Sequence, residues 1–384
     1  MAPQTHLRSL PLRAAGVQAT KASPSDVRRM NRSLIFNLLF PSTPRSRAEL
    51  SRITGLSRVA VSDVVNGMID EHLIRENGHE TNTNGKGKRA TLLAIDPMHL
   101  HVIAVDLSKE RLMEGCVCDL TGTPQTHLRI ALGEGERVEA QTVVQLIGSL
   151  REGLPPEAPV IGIGIAVPGV VSDGLVREST MLGWRDVDLG SAVESCFGMP
   201  VTVMNDTLGE TFTERFFGQA GPNLMFVKID RGIAAATLID DVPALGEHDA
   251  GGEIGHVSID PAHGPECPCG KRGCLETLIS APALRARMEG LDEGGRRDVK
   301  ASAGTTFATA MSMPVGLLDV SDICVYGPAD VIDDVFVEAA QTTLDASTLS
   351  SFHGRTTIRR CRCGADITLR GTAVATVLHH LERA

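Results

Sequence analysis

The sequence predicts a two-lobed α/β body carrying a small, basic helical head at its N-terminal end. Three observations lead there. Residues 1–97 hold 14 Lys/Arg against 8 Asp/Glu, a net +6, whereas the remainder holds 23 against 39, a net −16. A basic head on an acidic body suits a nucleic-acid-binding segment joined to a small-molecule domain, although a solvated basic face gives the same charge count. The body also runs twice through strands, helix and glycine turn, as two related α/β lobes with a cleft between them would. Finally, 384 residues with 3% aromatics and 39 glycines suit two or three domains rich in tight turns.

Residues 1–26 contain arginines but no continuous apolar core, so they read as a mobile arm rather than a signal peptide. No apolar run approaches a membrane span; "VIGIGIAVPGVV" from Val160 is too short and carries a proline. Nine cysteines in uneven clusters fit a reducing compartment and a metal better than a disulfide framework, which implies a cytoplasmic protein.

The head is expected over 27–96. From Arg28, "RRMNRSLIFNLLF" spaces Leu34, Ile35, Leu38 and Leu39 helically until Pro41 stops it. Ser46 caps a helix over about Arg47–Thr54, with Glu49 at capping-box spacing. Gly55 ends that helix, Leu56 packs under the turn, and Ser57 caps a second helix running to about Glu71. Leu50, Ile53, Val61, Val64 and Val65 would face one core. This is a helix-turn-helix, whose second helix presents Arg58, Ala60, Ser62 and Asp63 to a major groove. "HLIREN" and "RATLLAID" then form a hairpin wing whose tip carries Lys86, Lys88 and Arg89, able to reach phosphates or a minor groove.

The first lobe is expected over 97–206, completed by a C-terminal helix at 370–384. Its parts are two strands in "HVIAVDLSKERLMEGCVCDLTG", a helix near Glu139–Leu154, the buried strand "PVIGIGIAVPGVV" and "PVTVMNDT". The second lobe, 207–369, starts at "LMFVKIDRGIAAATLIDD" and includes "ICVYGPAD". Two such lobes form a sugar-kinase/actin-like, RNase H-like architecture.

Within nineteen residues, His256, Cys267, Cys269 and Cys274 supply the donor set of a closed tetrahedral zinc site, and Gly270 and Gly273 let the backbone fold tightly round an ion. Two other pairs lack that company. Cys116/Cys118 share a strand face and Cys361/Cys363 precede a helix; neither has a second pair or a histidine nearby in sequence, so both read as buried or free thiols.

Together, "GGEIGH…CPCGKRGCLE", "GIGIAVPGVV", "LGWRDVDL", "MNDT" and "CGADITLRGTA" resemble, in order, the motifs of the ROK family (repressors, open reading frames, kinases). The resemblance runs from Arg28 onward and includes the winged helix-turn-helix of the family's regulator branch. It implies zinc on His256, Cys267, Cys269 and Cys274, and sugar contacts from Asn205, Asp206, Glu253, His256 and Glu276 beside the Gly169 turn. His256 would hold zinc through one ring nitrogen and a sugar hydroxyl through the other, so the metal is structural and orients the sugar site.

In the family's kinases the residue at Asp206 is the general base, and glycine-rich turns hold the ATP phosphates. Here the first such turn reads Asp106-Leu-Ser-Lys-Glu110 without glycine, the second is Asp230-Arg-Gly-Ile-Ala234, and "VYGP" around Gly327 has lost a glycine. The resemblance therefore implies a sugar-responsive transcriptional regulator, a repressor of carbohydrate genes, and not an enzyme. Its partners would be operator DNA, a sugar or sugar-phosphate effector, and further copies of the chain in a homodimer or dimer of dimers. The polar set suits an N-acetylhexosamine, glucose, xylose, an oligosaccharide or a phosphorylated sugar alike. The alternatives are an ATP-dependent sugar kinase with an appended DNA-binding domain, and a sugar-binding scaffold whose head pairs with protein.

Overall fold

The computed structural model describes residues 23–80, 89–348 and 354–383 of the chain. The expected arm lies almost wholly outside these residues. The head starts at Ser23, which caps helix α1, Pro24–Leu39, through a reciprocal box with Asp26. A short β1, Arg45–Ser46, leads into α2, Arg47–Thr54, which Gly55 ends in the left-handed conformation. Ser57 then accepts from the Ala60 amide and opens α3, Arg58–Asp70. Strands β2, Ile74–His79, and β3, Thr91–Ile95, close a small sheet in the order β1-β3-β2, completing a winged helix.

Three local expectations shift. Ser46 accepts from the Glu49 amide, but the Glu49 carboxylate pairs with Arg45 instead of returning to the cap, so the box is only half made. Phe36 rather than Leu34 joins Ile35 and Leu39 in the core, and Leu34 faces outward. Ile53 is likewise exposed, and Met68 fills the core beside Val61 and Val65.

The first lobe is a mixed sheet ordered β11-β7-β4-β5-β6. Its strands are β4, His101–Asp106; β5, Leu112–Asp119; β6, Pro124–Ala131; β7, Val160–Val167; and β11, Val201–Asn205. A ribbon of β8, Val170–Ser172, β9, Leu175–Ser179, and β10, Trp184–Asp188, sits between β7 and β11 in sequence. Two helices belong with this lobe, α4 (Ala140–Glu152) and α5 (Leu189–Phe197).

The second lobe repeats the same strand order as β14-β13-β12-β15-β16. It comprises β12, Leu224–Ile229; β13, Ile233–Ile239; β14, Val242–Pro243; β15, Asp322–Tyr326; and β16, Thr357–Arg360. Its helices are α7, Leu275–Ile279; α8, Ala281–Met288; α9, Glu293–Leu318; and α10, Asp334–Thr348. Between the lobes runs α6, Asp206–Phe217, packed on the C-terminal helix α11, Ile367–Arg383.

β7 is buried along its last six residues because α4 covers one face of the sheet and α11 the other, as a parallel strand inside an α/β layer requires. Helix α11 also carries the head. Ile35, Phe36 and Leu39 of α1 share one apolar core with Leu369, Ala373, Val377 and Leu381 of α11. Phe40 lies edge-on to Phe216, the penultimate residue of α6, with ring centroids 5.0 Å apart.

Candidate functional site

A cleft opens between the lobes. Its first wall comes from the turn after β7 and the end of β11. Gly169 has φ 123°, and a Cβ there would stand 2.1 Å from the Glu178 carbonyl, so this turn requires glycine. Asn205 ties the wall together. Its amide donates to the Gly169 carbonyl at 2.9 Å while its side-chain oxygen caps α6. The opposite wall is β13 and the 243–253 segment, ending at Glu253.

Of the residues implicated in sugar contact, Gly169, Asn205 and Glu253 line this cleft. Reduced access to water raises the Glu253 carboxyl above its usual range; His256 opposes the shift, and Asp206 and Glu276 add to it. Those three groups are therefore close enough for their charges to act there. Glu276 accepts from the Ile233 amide at 3.1 Å, which commits one carboxylate oxygen to anchoring β13. Sequence reasoning missed Ser172, Asp173, Leu245 and Asp249, which also line the cleft. Asp173 follows the "PGVVS" run and Asp249 precedes "AGGE", so proximity to the motifs was the available signal.

Asp206 is buried at the start of α6 and is not open to the cleft in the same way. Lys228, from β12, reaches its carboxylate at 2.8 Å and Glu210 at 2.7 Å. Asp106 is buried close by, and its carboxyl is raised by desolvation against the help of Ser108 and Lys228. Glu210 is pushed up to about 7, chiefly by burial. One ammonium thus bridges Asp206 and Glu210, while Lys109 stands 3.9 Å from Asp106. Nearer the surface, Glu110 after β4 forms an ion pair with Arg231 after β12, joining the two lobes across their first turns.

The cysteine-rich loop folds back on itself between a single 3₁₀ turn at Ile254–His256 and α7. Gly273 has φ 66°, and a Cβ there would meet the Asp260 carbonyl at 1.8 Å. The loop brings His256, Cys267, Cys269 and Cys274 together with all donor atoms within 4.8 Å of one another. Cys267 Sγ stands 3.6 Å from His256 Nδ1, and Cys269 Sγ 3.6 Å from Cys274 Sγ. A zinc tetrahedron with bonds near 2.3 Å has edges of about 3.8 Å, so the donor set fits that ion. With Nδ1 turned to the thiols, Nε2 is the nitrogen left for another partner.

In the head, Arg58, Ala60, Ser62 and Asp63 occupy the first two turns of α3, with Arg58 and Asp63 exposed. Arg89 is exposed at the base of the wing, whereas Lys86 and Lys88 lie outside the described residues. Val59, also at the start of α3, is 70% exposed, an apolar side chain presented to solvent that the sequence reading passed over. Among the described residues, no helix is long and apolar enough to cross a membrane.

Residues 102–313 match the ROK family. The xylose repressor of Bacillus subtilis (strain 168) is 31% identical over 274 residues, 68% of this chain and 69% of the repressor. The DNA-binding transcriptional dual regulator NagC of Escherichia coli (strain K12) is 23% identical over 371 residues, 88% of this chain and 90% of NagC. A solved ROK family transcriptional regulator, a homologue of the E. coli MLC protein, superposes with TM-score 0.78 at 22% identity. That match covers 93% of this chain and 98% of the other, and at such identity it speaks for the fold.

Proposed function

The chain belongs to the ROK family, and from that premise we propose that it is a sugar-responsive transcriptional repressor, released from its operator when a sugar or sugar phosphate fills the cleft. The observation that carries this reading is the helix α6. Asn205 in the cleft wall caps its start, and Phe216 in its last turn packs against Phe40 of the winged head. Effector site and DNA-binding head are thereby joined by one rigid element.

On this reading Arg58 and Ser62 read bases, while Lys86, Lys88 and Arg89 in the wing hold phosphates and set the salt dependence of binding. Two copies of the chain would read a palindromic operator through paired heads. Asn205, Asp206, Glu253, His256 and Glu276 would meet the sugar hydroxyls. Zinc on His256, Cys267, Cys269 and Cys274 would fix the ring of His256 and supply no step of chemistry.

Two features favour a switch over a kinase. Lys228 already neutralises Asp206, the residue that would have to take a proton from a sugar hydroxyl. The Glu110–Arg231 pair occupies the turns where a kinase of this family would present backbone amides to ATP phosphates. The test is an operator-shift assay with xylose, glucose, N-acetylglucosamine and their phosphates. One of them is expected to release the wild-type protein and to leave Glu253→Ala bound, with no sugar phosphorylated when ATP is supplied. ATP-dependent phosphorylation at roughly 1 per second or faster would establish the kinase instead.

The metal loop has its own check. Cys269→Ala is expected to lose one zinc per chain, and its sugar affinity to fall roughly tenfold, because the metal orients a residue of the pocket. A variant that keeps its full metal content would remove this zinc assignment.

A further inference from the structure

Cys361 and Cys363 are free thiols, as the sequence suggests, but the fold gives them neighbours from distant parts of the chain. β16 runs parallel to β15 with Arg359 opposite Cys324, so Cys361, two residues on, returns to the same face of the sheet. Cys324 Sγ, Cys361 Sγ and a Glu214 carboxylate oxygen lie within 4.8 Å of one another. The Cys361 thiol donates to Glu214 at 3.0 Å, and the Cys363 amide donates to Cys361 Sγ at 3.4 Å. The Cys363 thiol lies 3.6 Å from the Thr213 carbonyl, beside the same carboxylate. Three thiols of the second lobe thus converge on the last turn of α6.

The pocket is shaped for this. A Cβ at Gly218 would stand 2.2 Å from the Glu214 carboxyl carbon, so only glycine leaves the carboxylate room. Glu214 is fully buried and held by the Arg359 guanidinium and the Arg362 amide at 3.1 Å. Cys324 is buried, whereas Cys361 and Cys363 are partly exposed and give solvent a way in. All nine cysteines are free thiols.

We infer that Cys324, Cys361, Cys363 and Glu214 form a second metal site, for a thiophilic divalent ion such as Zn(II), which clasps α6 to the second lobe. Cys324, Cys361 and Glu214 already present donor atoms within 4.8 Å of one another, and the Cys363 thiol, which faces the Thr213 carbonyl, turns inward to complete a tetrahedral set. On binding, the three S–H protons leave to solvent as three metal–sulfur bonds form, and no oxidation state changes. The resulting site is anionic, and Arg359 offsets that charge.

Co(II) substitution of the full-length chain tests this independently of the zinc loop. Wild type is expected to bind two ions per chain, Cys269→Ala one and Cys361→Ser one, and the double variant none. The thiolate-to-cobalt charge-transfer band that survives in Cys269→Ala should vanish when Cys361→Ser is added, while Cys116→Ser changes nothing. Should Cys361→Ser fail to fold, Glu214→Gln keeps the shape of the pocket and should still lose the second ion. The inference is overturned if Cys361→Ser and Glu214→Gln bind as many ions as wild type. If instead only Cys269→Ala leaves the count unchanged, the zinc loop is the assignment that fails.

Discussion

Lys228→Met is expected to destabilise the folded protein by about 3–5 kcal/mol near pH 8, the cost of leaving buried carboxylates without their cation. Methionine keeps the length of the lysine side chain but for its terminal ammonium, so the loss reflects chiefly charge rather than a cavity. Lys228 lies between Asp206 and Glu210, with buried Asp106 close by. The sign of the pH dependence follows from the same groups. Glu210 titrates at about 7 in the folded protein against 4.5 as a free side chain. Its contribution is therefore fully present below pH 4.5 and is lost as pH rises through about 7. Lys228 is raised well above its usual value, so its own contribution persists to high pH. Removing it exposes the acids to one another, and the deficit should be much smaller at pH 5, where they can take up protons. Urea denaturation at pH 5 and pH 8 measures the difference. Adding Glu210→Gln should restore much of the loss at pH 8, since replacing both members of a buried pair is often nearly neutral. Equal losses at both pH values, or no recovery in the double variant, would show that Lys228 does not serve as the counter-ion.

What was legible in the sequence was what neighbouring residues decide. Ser46, Gly55 and Ser57 bound α2 and α3 through caps that act within three or four residues, so both helices were readable to within a residue. His256, Cys267, Cys269 and Cys274 converge because glycines at 270 and 273 fold a short segment, and short spacings survive translation into space. By contrast, which face of α1 is buried depends on α11, hundreds of residues later, and the choice of Leu34 over Phe36 failed there. β6 escaped notice because it is an edge strand, mostly exposed, whose alternation is confined to Leu128 and Ile130.

The hidden part of the site has one source, the helix α6. Asp206, Glu210 and Glu214 recur every four residues along it, so they lie along one face. Of the three, only Asp206 stood out in the sequence, through the "MNDT" motif. In the fold all three are buried, because the second lobe supplies Lys228 to the first two and Arg359 to the third. No local signal pairs a lysine with an acid twenty-two residues away, or Cys324 with Cys361 across a sheet. The sequence reading could see the residue types but not the partner that makes each one buried and charged.

Phe216→Ala is expected to leave sugar affinity unchanged while most of the sugar's effect on DNA affinity disappears. Coupling between two sites is typically about 1–3 kcal/mol, a factor of roughly 5–150 in affinity. Helix α6 has twelve residues, so it spans about 18 Å from the cleft to the head. At its end Phe216 stacks on Phe212 and presents its ring to Phe40, which also contacts Phe217 at 6.2 Å and Phe36 at 5.6 Å. Phe40 closes α1, and α1 packs directly on α3, the helix that would enter the DNA groove. A shift of α6 on sugar binding would reach the head through this aromatic contact, worth about 0.5–1.5 kcal/mol beyond its area. Truncating Phe216 leaves the cleft end of the helix untouched and removes the contact at the other end. Operator affinity with and without the effector sugar, measured for wild type, Phe216→Ala, Phe40→Ala and the double variant, tests the route. The double variant should respond to sugar no less than either single one, because residues on one path do not act additively. If Phe216→Ala keeps the full response, coupling runs elsewhere; if it loses DNA binding without sugar, the contact only holds the head in place.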